Sequence, residues 1–339
     1  MKIAVLGAGG WGTTLAILLN RNGCNVTLWE YNKEYAETLN EYRENFYFLP
    51  KIKIPRSIKI TNDIGAAVHD KNLVLITTPT QFIRNAIKDL TDYKFKDAII
   101  VSASKGIENK SLMLVSEILL DVLKYAKKGR IASLSGPSHA EEVSRFIPTA
   151  VVCAAEKKDI SKTVQKIFSN NYFRVYTSTD LKGTEIGGAL KNVIAIAAGI
   201  SDGAGFGDNT RSAIMTRGIN EIMHLGLKLK ARKETFFGLS GIGDLIVTCS
   251  SEHSRNRYVG YNIGKGKKLS ALLKEMKMVA EGVATTKSAY ELSRNHNIEM
   301  PIVDQIYAIL FRNKSPYKAT NSLMQRALKI EHEFKVKLK

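Results

Sequence analysis

The chain begins with a short apolar run that leads directly into three glycines at GxGxxG spacing. Gly7 permits a tight turn after a strand, Gly9 lets backbone come close to a pyrophosphate, and Gly12 lets the next helix pack against the strand. The helical pattern that follows ends at Gly23. The first turn of such a helix attracts phosphates through its N–H groups and its dipole. An ordinary glycine-rich βα turn is the alternative, but the order of strand, turn and helix favours a dinucleotide-binding unit.

A second strand-like run, NVTLWE, ends in Glu30, which lies 18 residues after Gly12. Dinucleotide-binding units place an acidic residue at about this position, where its carboxylate accepts hydrogen bonds from the adenosine ribose diol. The same carboxylate repels a 2′-phosphate, although Lys33 lies close enough to weaken that repulsion. Tyr31 can stack on adenine of either cofactor. We therefore expect NAD(H) as the preferred cofactor and NADP(H) as an alternative.

The chain has 339 residues, which suggests about two domains, and a formal net charge of +18. Such a surplus attracts nucleic acid, acidic lipid headgroups or phosphorylated small molecules, and charge alone does not choose among them. Lysines that only keep the surface solvated are an equal alternative. No helix-turn-helix, zinc-finger or stacked-aromatic pattern is present in the sequence. We therefore expect a small-molecule substrate and no nucleic-acid partner.

The three cysteines, Cys24, Cys153 and Cys249, are far apart and form no CxxC pair, which favours a reducing compartment. The six histidines are scattered, so we expect no metal site. Residues 3–20 are uncharged, but the glycine cluster interrupts them in a way that a signal peptide would not. No other stretch has the length of a membrane helix. These features predict a cytoplasmic protein without integral membrane association.

Up to about residue 180 the sequence alternates strand-like runs with helical patterns. The later strand-like runs cover residues 73–79, 98–107, 130–138, 149–155 and 173–180. One helical pattern between them covers 111–128. This alternation predicts a parallel sheet covered on both faces. After about residue 180, helical periodicity dominates the sequence. The expected fold class is α/β, with a Rossmann-like parallel-sheet domain over 1–180 and an all-helical substrate domain over 181–339. The charged tail, 329–339, is expected to be frayed.

The loops after the predicted strands are the expected ligand site. Parallel sheets bind ligands beyond the carboxyl ends of their strands. GAGGWG, TTPTQF, SASKGI and SGPSHA lie at such ends and should converge on one crevice. Lys105, in SASKGI, can there hold a phosphate or polarise a carbonyl; an ordinary loop lysine is the alternative.

Lys191 is the strongest candidate for proton transfer. On a helix its neighbours one turn away are Gly187, Gly188, Ile194 and Ala195, none of which is charged. A lysine on such a face is desolvated, which lowers its pKa and lets it exchange protons near neutral pH. A lysine that extends to the surface is the alternative.

Two further segments carry chemistry-bearing side chains. Asp244 follows two glycines in LSGIGDLIVT, where its carboxylate can orient a lysine; a helix-capping aspartate is the alternative. Ser254, Arg255 and Asn256 supply a hydroxyl, a guanidinium and an amide in succession, which suit a phosphate. Three polar residues in an ordinary loop are the alternative.

Taken together, these segments resemble the bacterial-type NAD(P)-dependent glycerol-3-phosphate dehydrogenases. The resemblance covers nearly the whole chain, in order. Its motifs here are GAGGWGTTLA, SASKGIE, SGPSHAEEV, GGALKNVIAIAAGISDGAGFGDNTR, GLSGIGDLIVTCSS, SRNR, VAEGVATTK and EMPIVDQIY. The resemblance implies a Rossmann-like domain followed by a helical substrate domain, a homodimer, and a role in supplying glycerol 3-phosphate for phospholipid synthesis.

The resemblance also implies residue roles. Lys191 is then the proton acceptor in glycerol 3-phosphate oxidation and the donor in the reverse reaction. The implied substrate contacts are Lys105, Gly136, Ser138, Lys191, Asn192, Asp244, Thr248, Ser254, Arg255 and Asn256. The cofactor contacts, with those expected from the glycine motif, are Gly7, Gly9, Gly10, Trp11, Gly12, Glu30, Tyr31, Lys105, Ala140, Arg255, Val279 and Glu281.

The sequence departs from the family pattern at two positions. His139 stands where many members carry Phe, and we expect it to be a tolerated variant rather than a catalyst. Glu30 is acidic where some members that accept NADPH have a small residue. Two other functions remain open from the residues: a different dehydrogenase, such as a 3-hydroxyacid or ketopantoate reductase, and a dinucleotide-sensing regulator that binds nucleic acid. Neither function accounts for both the Ser254, Arg255 and Asn256 triplet, which suits a phosphate, and the helix that carries Lys191.

Overall fold

The computed structural model describes residues 1–95, 97–328 and 330–331. Most of the predicted tail therefore lies outside the described residues. In the N-terminal part, an eight-stranded sheet is flanked by helices, and a two-stranded ribbon of β3 and β4 lies beside it. The strands are β1 Lys2–Leu6, β2 Asn25–Trp29, β3 Glu44–Asn45, β4 Leu49–Lys53, β5 Lys59–Thr61, β6 Leu73–Ile76, β7 Ile99–Ser102, β8 Ile131–Ser135, β9 Thr149–Ala155 and β10 Phe173–Ser178.

Helices connect most of these strands. They are α1 Gly10–Arg21, α2 Lys33–Tyr42, α3 Ile64–Val68, α4 Thr80–Ile87, α5 Val115–Val122, α6 Ala140–Val143 and α7 Lys158–Phe168. Neighbouring β1 residues alternate between two apolar clusters: Ile3 and Val5 pack on one side of the sheet, and Ala4 and Leu6 on the other. The sheet is therefore covered on both faces at its centre, as predicted, because the side chains on both faces of β6 and of β1 from Ile3 onward are apolar and buried.

The strand order is β10-β9-β8-β7-β6-β1-β2-β5. The sheet is mainly parallel, which confirms the predicted fold class, but the expectation of a wholly parallel sheet is wrong at one pairing. β9 runs antiparallel to β8, and β10 is parallel to β9. Between Ser135 and Thr149 the chain forms only the four-residue helix α6, which is too short for a crossover over the sheet. The chain therefore returns along the same edge, and residues 136–140 stay at the carboxyl end of β8.

The helical pattern predicted over 111–128 is helical only from Val115 to Val122. Lys110 and Leu112 adopt φ values of 69° and 59°, which a right-handed helix does not allow. Leu114 donates its N–H to the Glu117 carboxylate at 2.9 Å, so the helix begins just after this residue. The segment before the helix is a turn that periodicity alone did not reveal.

Every regular element in the described residues of the C-terminal part is a helix, as predicted. Its helices are α8 Leu181–Gly203, α9 Gly207–Lys228, α10 Lys233–Phe236, α11 Asp244–Ser250, α12 Arg255–Gly264, α13 Leu269–Glu275, α14 Glu281–Asn295, α15 Pro301–Arg312 and α16 Pro316–Met324. The boundary proposed at residue 180 lies in the short connection between β10 and α8. None of the helices in the described residues is long and apolar enough to cross a membrane.

Helix α8 is buried along nearly its whole length and is the centre of the C-terminal part. It crosses α12 at very close range, because both helices present glycines at the crossing. A Cβ atom on Gly199 would collide with the Arg257 carbonyl oxygen, and one on Gly260 would collide with that of Ile196. The two backbones are therefore in direct contact, which fixes the position of α12 relative to α8.

We expect Gly260→Ala to destabilise the protein. The added methyl group would meet a backbone carbonyl that cannot move aside, and overpacking of this kind costs about 1–3 kcal/mol. This cost exceeds the gain of roughly 1 kcal/mol or less that alanine brings to a helix interior. The check is urea unfolding followed by circular dichroism. Ser270→Ala, at an exposed position of α13, is the control. An unchanged unfolding midpoint for Gly260→Ala would mean that the helices are not in backbone contact.

Candidate active site

A cavity of about 640 Å³ lies at the carboxyl edge of the sheet, against the helical part of the chain. The loops after β1, β6, β7 and β8 contribute Gly9, Thr78, Ser104 and Ser138 to its lining. The predicted convergence of these four loops on one crevice is confirmed. A cavity of this volume has the size of a small-molecule or cofactor site.

The glycine loop after β1 fits a pyrophosphate. Gly7 has a φ of +118°, and a Cβ at this residue would lie 3.0 Å from the Thr78 nitrogen. Gly9 faces open space, with no atom within 4 Å of a Cβ built there. Helix α1 begins after Gly9 without a side-chain cap, so its first-turn N–H groups are left for a ligand. Gly12 packs against the Gly7 carbonyl, as its proposed role requires.

Glu30 lies at the end of β2 and lines the cavity with its neighbour Tyr31. One carboxylate oxygen accepts a hydrogen bond from the Asn32 N–H at 3.0 Å. Burial raises the pKa of Glu30, and backbone N–H groups, first that of Asn32, oppose the rise. Glu30 lines the cavity, so its carboxylate can also accept from a ribose hydroxyl.

A carboxylate shared by two lysines forms the centre of the site. The Lys191 ammonium lies 2.8 Å from Asp244 Oδ1 and 2.7 Å from the Thr248 hydroxyl. The Lys105 ammonium lies 2.7 Å from Asp244 Oδ2 and donates to the Gly136 carbonyl at 2.9 Å. The Lys191 side chain is 8% exposed and that of Asp244 is 2% exposed. Lys191 does not extend to the surface, and Asp244 binds lysines with its side chain instead of capping a helix.

Burial sets the proton affinities of this cluster. It lowers the pKa of Lys191 to about 8, where the nearby Lys105 acts in the same direction and Asp244 opposes it. Burial alone would raise the pKa of Asp244, but the Lys105 and Lys191 ammonium groups hold it below its usual value. The site therefore pairs a carboxylate whose ionised form is favoured with a lysine that can gain or lose a proton near neutral pH.

The three polar residues at the start of α12 have different environments. Ser254 caps the helix, since its hydroxyl oxygen accepts from the Arg257 N–H at 3.2 Å. Arg255 is exposed beside the cavity and has no ion-pair partner among the described residues. The Asn256 side chain is buried and bonds within the protein, to Asn192 and to the Gly282 N–H. Arg255 and the N-terminus of α12 can therefore bind an anion together.

Most residues predicted from the sequence line this one cavity. They are Gly7, Gly9, Gly10, Trp11, Gly12, Glu30, Tyr31, Lys105, Ser138, Ala140, Lys191, Asn192, Thr248, Ser254, Arg255, Asn256, Val279 and Glu281. Gly136 and Asp244 are not part of the lining. Both contact the Lys105 ammonium, so they lie behind the lysines that face the cavity.

Sequence reasoning missed other lining residues, among them His253 and Lys277. It predicted that TTPTQF reaches the crevice but assigned no role to Thr78 and Phe82 within it. The Thr78 hydroxyl donates to the Leu6 carbonyl at 3.0 Å and so supports the glycine loop. His253 and Lys277 could have been found from the sequence because they lie beside recognised motifs. His253 directly precedes Ser254, and Lys277 lies just before the VAEG motif.

His139 lies in the cavity wall with its ring edge against His253, at 5.8 Å between ring centres. Burial lowers the pKa of His139, and the Lys191 and Lys105 ammonium groups lower it further. The Glu141 carboxylate opposes this decrease, and the net effect favours the neutral imidazole. Within the described residues, no group of three or more potential metal ligands is present.

Comparisons with known proteins agree with this geometry. The N-terminal family profile of the NAD-dependent glycerol-3-phosphate dehydrogenases matches residues 2–161, and the C-terminal profile matches 180–321. A glycerol-3-phosphate dehydrogenase (NAD(P)+) of Syntrophotalea carbinolica is 50% identical over 98% of this chain and 99% of its own length. One of Fusobacterium nucleatum is 48% identical over 98% of each chain.

A solved structure is similar as well. The crystal structure of glycerol-3-phosphate dehydrogenase from Coxiella burnetii aligns with a TM-score of 0.91 at 34% identity, over 96% of this chain and 99% of that one. The resemblance drawn from the motifs is thus confirmed along almost the whole sequence. The chain belongs to the NAD-dependent glycerol-3-phosphate dehydrogenase family.

Proposed function

We propose that this protein is an NAD(P)-dependent sn-glycerol-3-phosphate dehydrogenase that interconverts dihydroxyacetone phosphate and glycerol 3-phosphate and supplies the latter for phospholipid synthesis. The observation that carries the proposal is the buried Lys191, with a pKa of about 8, in the same cavity as the glycine loop of α1. A proton-transferring lysine beside a dinucleotide site suits a reaction in which a hydride and a proton leave one alcohol.

The bound nicotinamide cofactor supplies the hydride transfer. In the oxidation of glycerol 3-phosphate, neutral Lys191 accepts the proton of the reacting hydroxyl group. In the reduction of dihydroxyacetone phosphate, protonated Lys191 donates this proton to the carbonyl oxygen and stabilises the charge that develops there. Because the pKa is about 8, oxidation is favoured above this pH and reduction below it. Asp244 and Thr248 hold the ammonium group in place.

The other parts of the proposal concern ligands and assembly. Arg255 and the N-terminus of α12 bind the phosphate dianion of the substrate. Glu30 binds the adenosine ribose, so that NADH is preferred and NADPH is an alternative. We further propose a homodimer, on the basis of the family resemblance, in the cytoplasm. The three free, buried cysteines support a reducing compartment.

We expect Lys191→Ala to lower kcat by about 10²–10⁴-fold, because the variant lacks the proton donor and acceptor. NADH binding, followed by fluorescence titration, should stay nearly unchanged, since the glycine loop is untouched. Lys182→Ala is the control: this lysine lies on the same helix but is exposed and paired with Glu117. A Lys191→Ala variant that keeps most of its kcat would disprove the assignment.

We expect Arg255→Ala to raise KM for dihydroxyacetone phosphate about 10- to 100-fold, since a lost hydrogen bond to a charged group costs roughly 1.5–3 kcal/mol. Arg255→Lys should recover part of the loss, because it restores the charge but not the planar fork. Lys265→Ala, just beyond the other end of α12, removes one positive charge without touching the cavity. An unchanged KM in the folded Arg255→Ala variant would place the phosphate elsewhere.

We expect the wild-type enzyme to have a higher kcat/KM with NADH than with NADPH, and Glu30→Ala to shift this ratio towards NADPH. The carboxylate that accepts from a ribose diol also repels a 2′-phosphate. Steady-state kinetics with both cofactors measure the ratio, with the exposed Glu34→Ala as control. If the wild type already prefers NADPH, the Glu30 carboxylate does not act on the ribose.

A further inference from the structure

A second cavity, of about 590 Å³, lies at the edge of the sheet that is formed by β5. All three residues of β5, Lys59–Thr61, line this cavity. Thr27, which pairs with Lys59 in the neighbouring strand β2, lines it as well. It shares no lining residue with the active-site cavity among the residues that the structure describes. We refer to it as the edge cavity.

Four cationic side chains line the edge cavity. Arg43 directly follows α2 and Lys71 lies two residues before β6, and both residues are partly buried. Arg56 and Lys59 are exposed. Within the described part of the chain, no aspartate or glutamate belongs to the lining, and none of the four cations forms an ion pair with a carboxylate. The edge cavity therefore carries positive charge that its own lining does not balance.

Two of these cations, Lys71 and Lys59, are held beside each other. The Lys71 ammonium donates to Thr27 Oγ1 at 2.9 Å, and Thr27 is the strand partner of Lys59. Burial lowers the pKa of Lys71, the Lys59 and Lys2 ammonium groups lower it further, and Asp70 opposes them. Asp70 lies outside the lining and binds Lys2 at 2.6 Å. The charges of Lys59 and Lys71 are therefore close enough to repel each other.

Arg43 and Arg56 form a second pair of like charges. Burial lowers the pKa of Arg43, and the Arg56 guanidinium lowers it further. Like charges that are held close together destabilise one another, and an anion between them replaces this repulsion with attraction. Both pairs line one cavity, so an anion bound there would be attracted by all four cations.

Protection of the sheet edge does not account for all four charges. Edge strands commonly use charged side chains to avoid pairing with another chain. Here the Arg43 guanidinium donates to the Ile58 carbonyl at 2.8 Å, and the Asn40 amide donates to the Ile60 carbonyl at 3.1 Å. Two carbonyls at this edge are thus already bonded, and Lys59 lies on β5 itself. The other two cations lie outside the strand and are not needed for this purpose.

We propose that the edge cavity is a second ligand site, which binds a multiply charged phosphate compound of the class of pyrophosphate and tripolyphosphate. Guanidinium and ammonium groups are the side chains that most often bind phosphate oxygens. A single phosphate carries a charge of about −1.5 to −2 at pH 7 and cannot balance four cations, whereas a chain of phosphates carries more. The volume of the cavity is in the range of small-molecule sites.

This site lies outside the proposed dehydrogenase reaction and does not depend on it. It assigns a role to part of the formal net charge of +18, which the active site does not explain. Phosphate groups occur both in free compounds and in the headgroups of acidic lipids. The partly buried Arg43 and Lys71 favour a free compound, because a flat lipid surface would meet the exposed cations first.

The test is isothermal titration calorimetry of the full chain with tripolyphosphate, pyrophosphate and inorganic phosphate. NADH and glycerol 3-phosphate are present at saturation, so that the anion sites of the active-site cavity are occupied. We expect one binding site per chain, with the highest affinity for tripolyphosphate and the lowest for inorganic phosphate. The affinity should fall as KCl is raised, because salt screens the attraction.

A pair of matched double variants locates this binding. Arg56→Gln/Lys59→Gln removes two exposed charges from the edge cavity and should weaken tripolyphosphate binding about 10- to 100-fold, as expected for one or two lost hydrogen bonds to a charged ligand. Lys162→Gln/Lys166→Gln removes the same net charge from exposed positions of α7, which connects β9 and β10 at the other end of the sheet. It should bind tripolyphosphate like the wild type. Circular dichroism verifies folding, and Arg56→Gln alone serves where the first double variant does not fold.

Vesicles separate a free phosphate compound from a lipid headgroup. The wild type and both double variants are sedimented with phosphatidylglycerol vesicles, and phosphatidylcholine vesicles are the uncharged control. We expect both double variants to be retained to the same extent. Retention that only Arg56→Gln/Lys59→Gln abolishes, and with which tripolyphosphate does not compete, would overturn the proposal in favour of a membrane contact.

Three results of the calorimetry would also overturn the proposal. The first is the absence of tripolyphosphate binding to the wild type. The second is unchanged binding in the folded Arg56→Gln/Lys59→Gln variant, which would place the ligand elsewhere. The third is an equal loss in Lys162→Gln/Lys166→Gln, which would show attraction to the overall charge of the chain and no built site. None of these results bears on the proposed dehydrogenase function, which is tested by turnover.

Discussion

The Asp244 carboxylate, which binds two lysine ammonium groups in a buried site, is the interaction on which the site depends. A buried anion between two largely buried cations is costly unless the geometry is tight and the remaining polar atoms are bonded. Here Asp244 uses one oxygen for each lysine, Thr248 binds Lys191, and the Gly136 carbonyl binds Lys105. The two lysines outnumber the one carboxylate, so the cluster keeps a positive charge, and Arg255 adds another at the cavity edge. This positive charge is available to bind an anionic substrate.

The fold holds this cluster through contacts that lie far from it in sequence. Lys191 is placed by α8, which is fixed by its backbone contact with α12 at Gly199 and Gly260. Asp244 begins α11. Lys105 has no regular element of its own and depends on hydrogen bonds from three helices. The rigid part of the site is thus built by the helical region, and the sheet contributes loops that dock onto it.

The sequence predicted those features of the fold and the site that depend on the order of residues within a short stretch of chain. The glycine fingerprint required only a strand, a turn and a helix in succession. The desolvation of Lys191 followed from four uncharged neighbours on one helix face. The antiparallel pairing of β9 was not predictable in this way, because strand direction depends on how the chain returns after β8 and not on the composition of the strand. The hydrogen bonds that hold the Lys105 backbone come from Asn192 and Glu281, up to 176 positions away, and these side chains resemble any polar residues until the helices are assembled.

Two helices, α1 and α12, begin at the cavity, with Gly10 and Arg255 in its lining. Each directs the positive end of its dipole at the cavity. In the proposed reaction both ligands are anions that repel each other, since the cofactor carries a pyrophosphate and the substrate a phosphate. Anchoring each at its own helix N-terminus would keep the anionic groups apart and leave the reacting groups to meet beside Lys191. In this proposed arrangement Lys191 needs no phosphate contact and can remain buried, with a pKa of about 8.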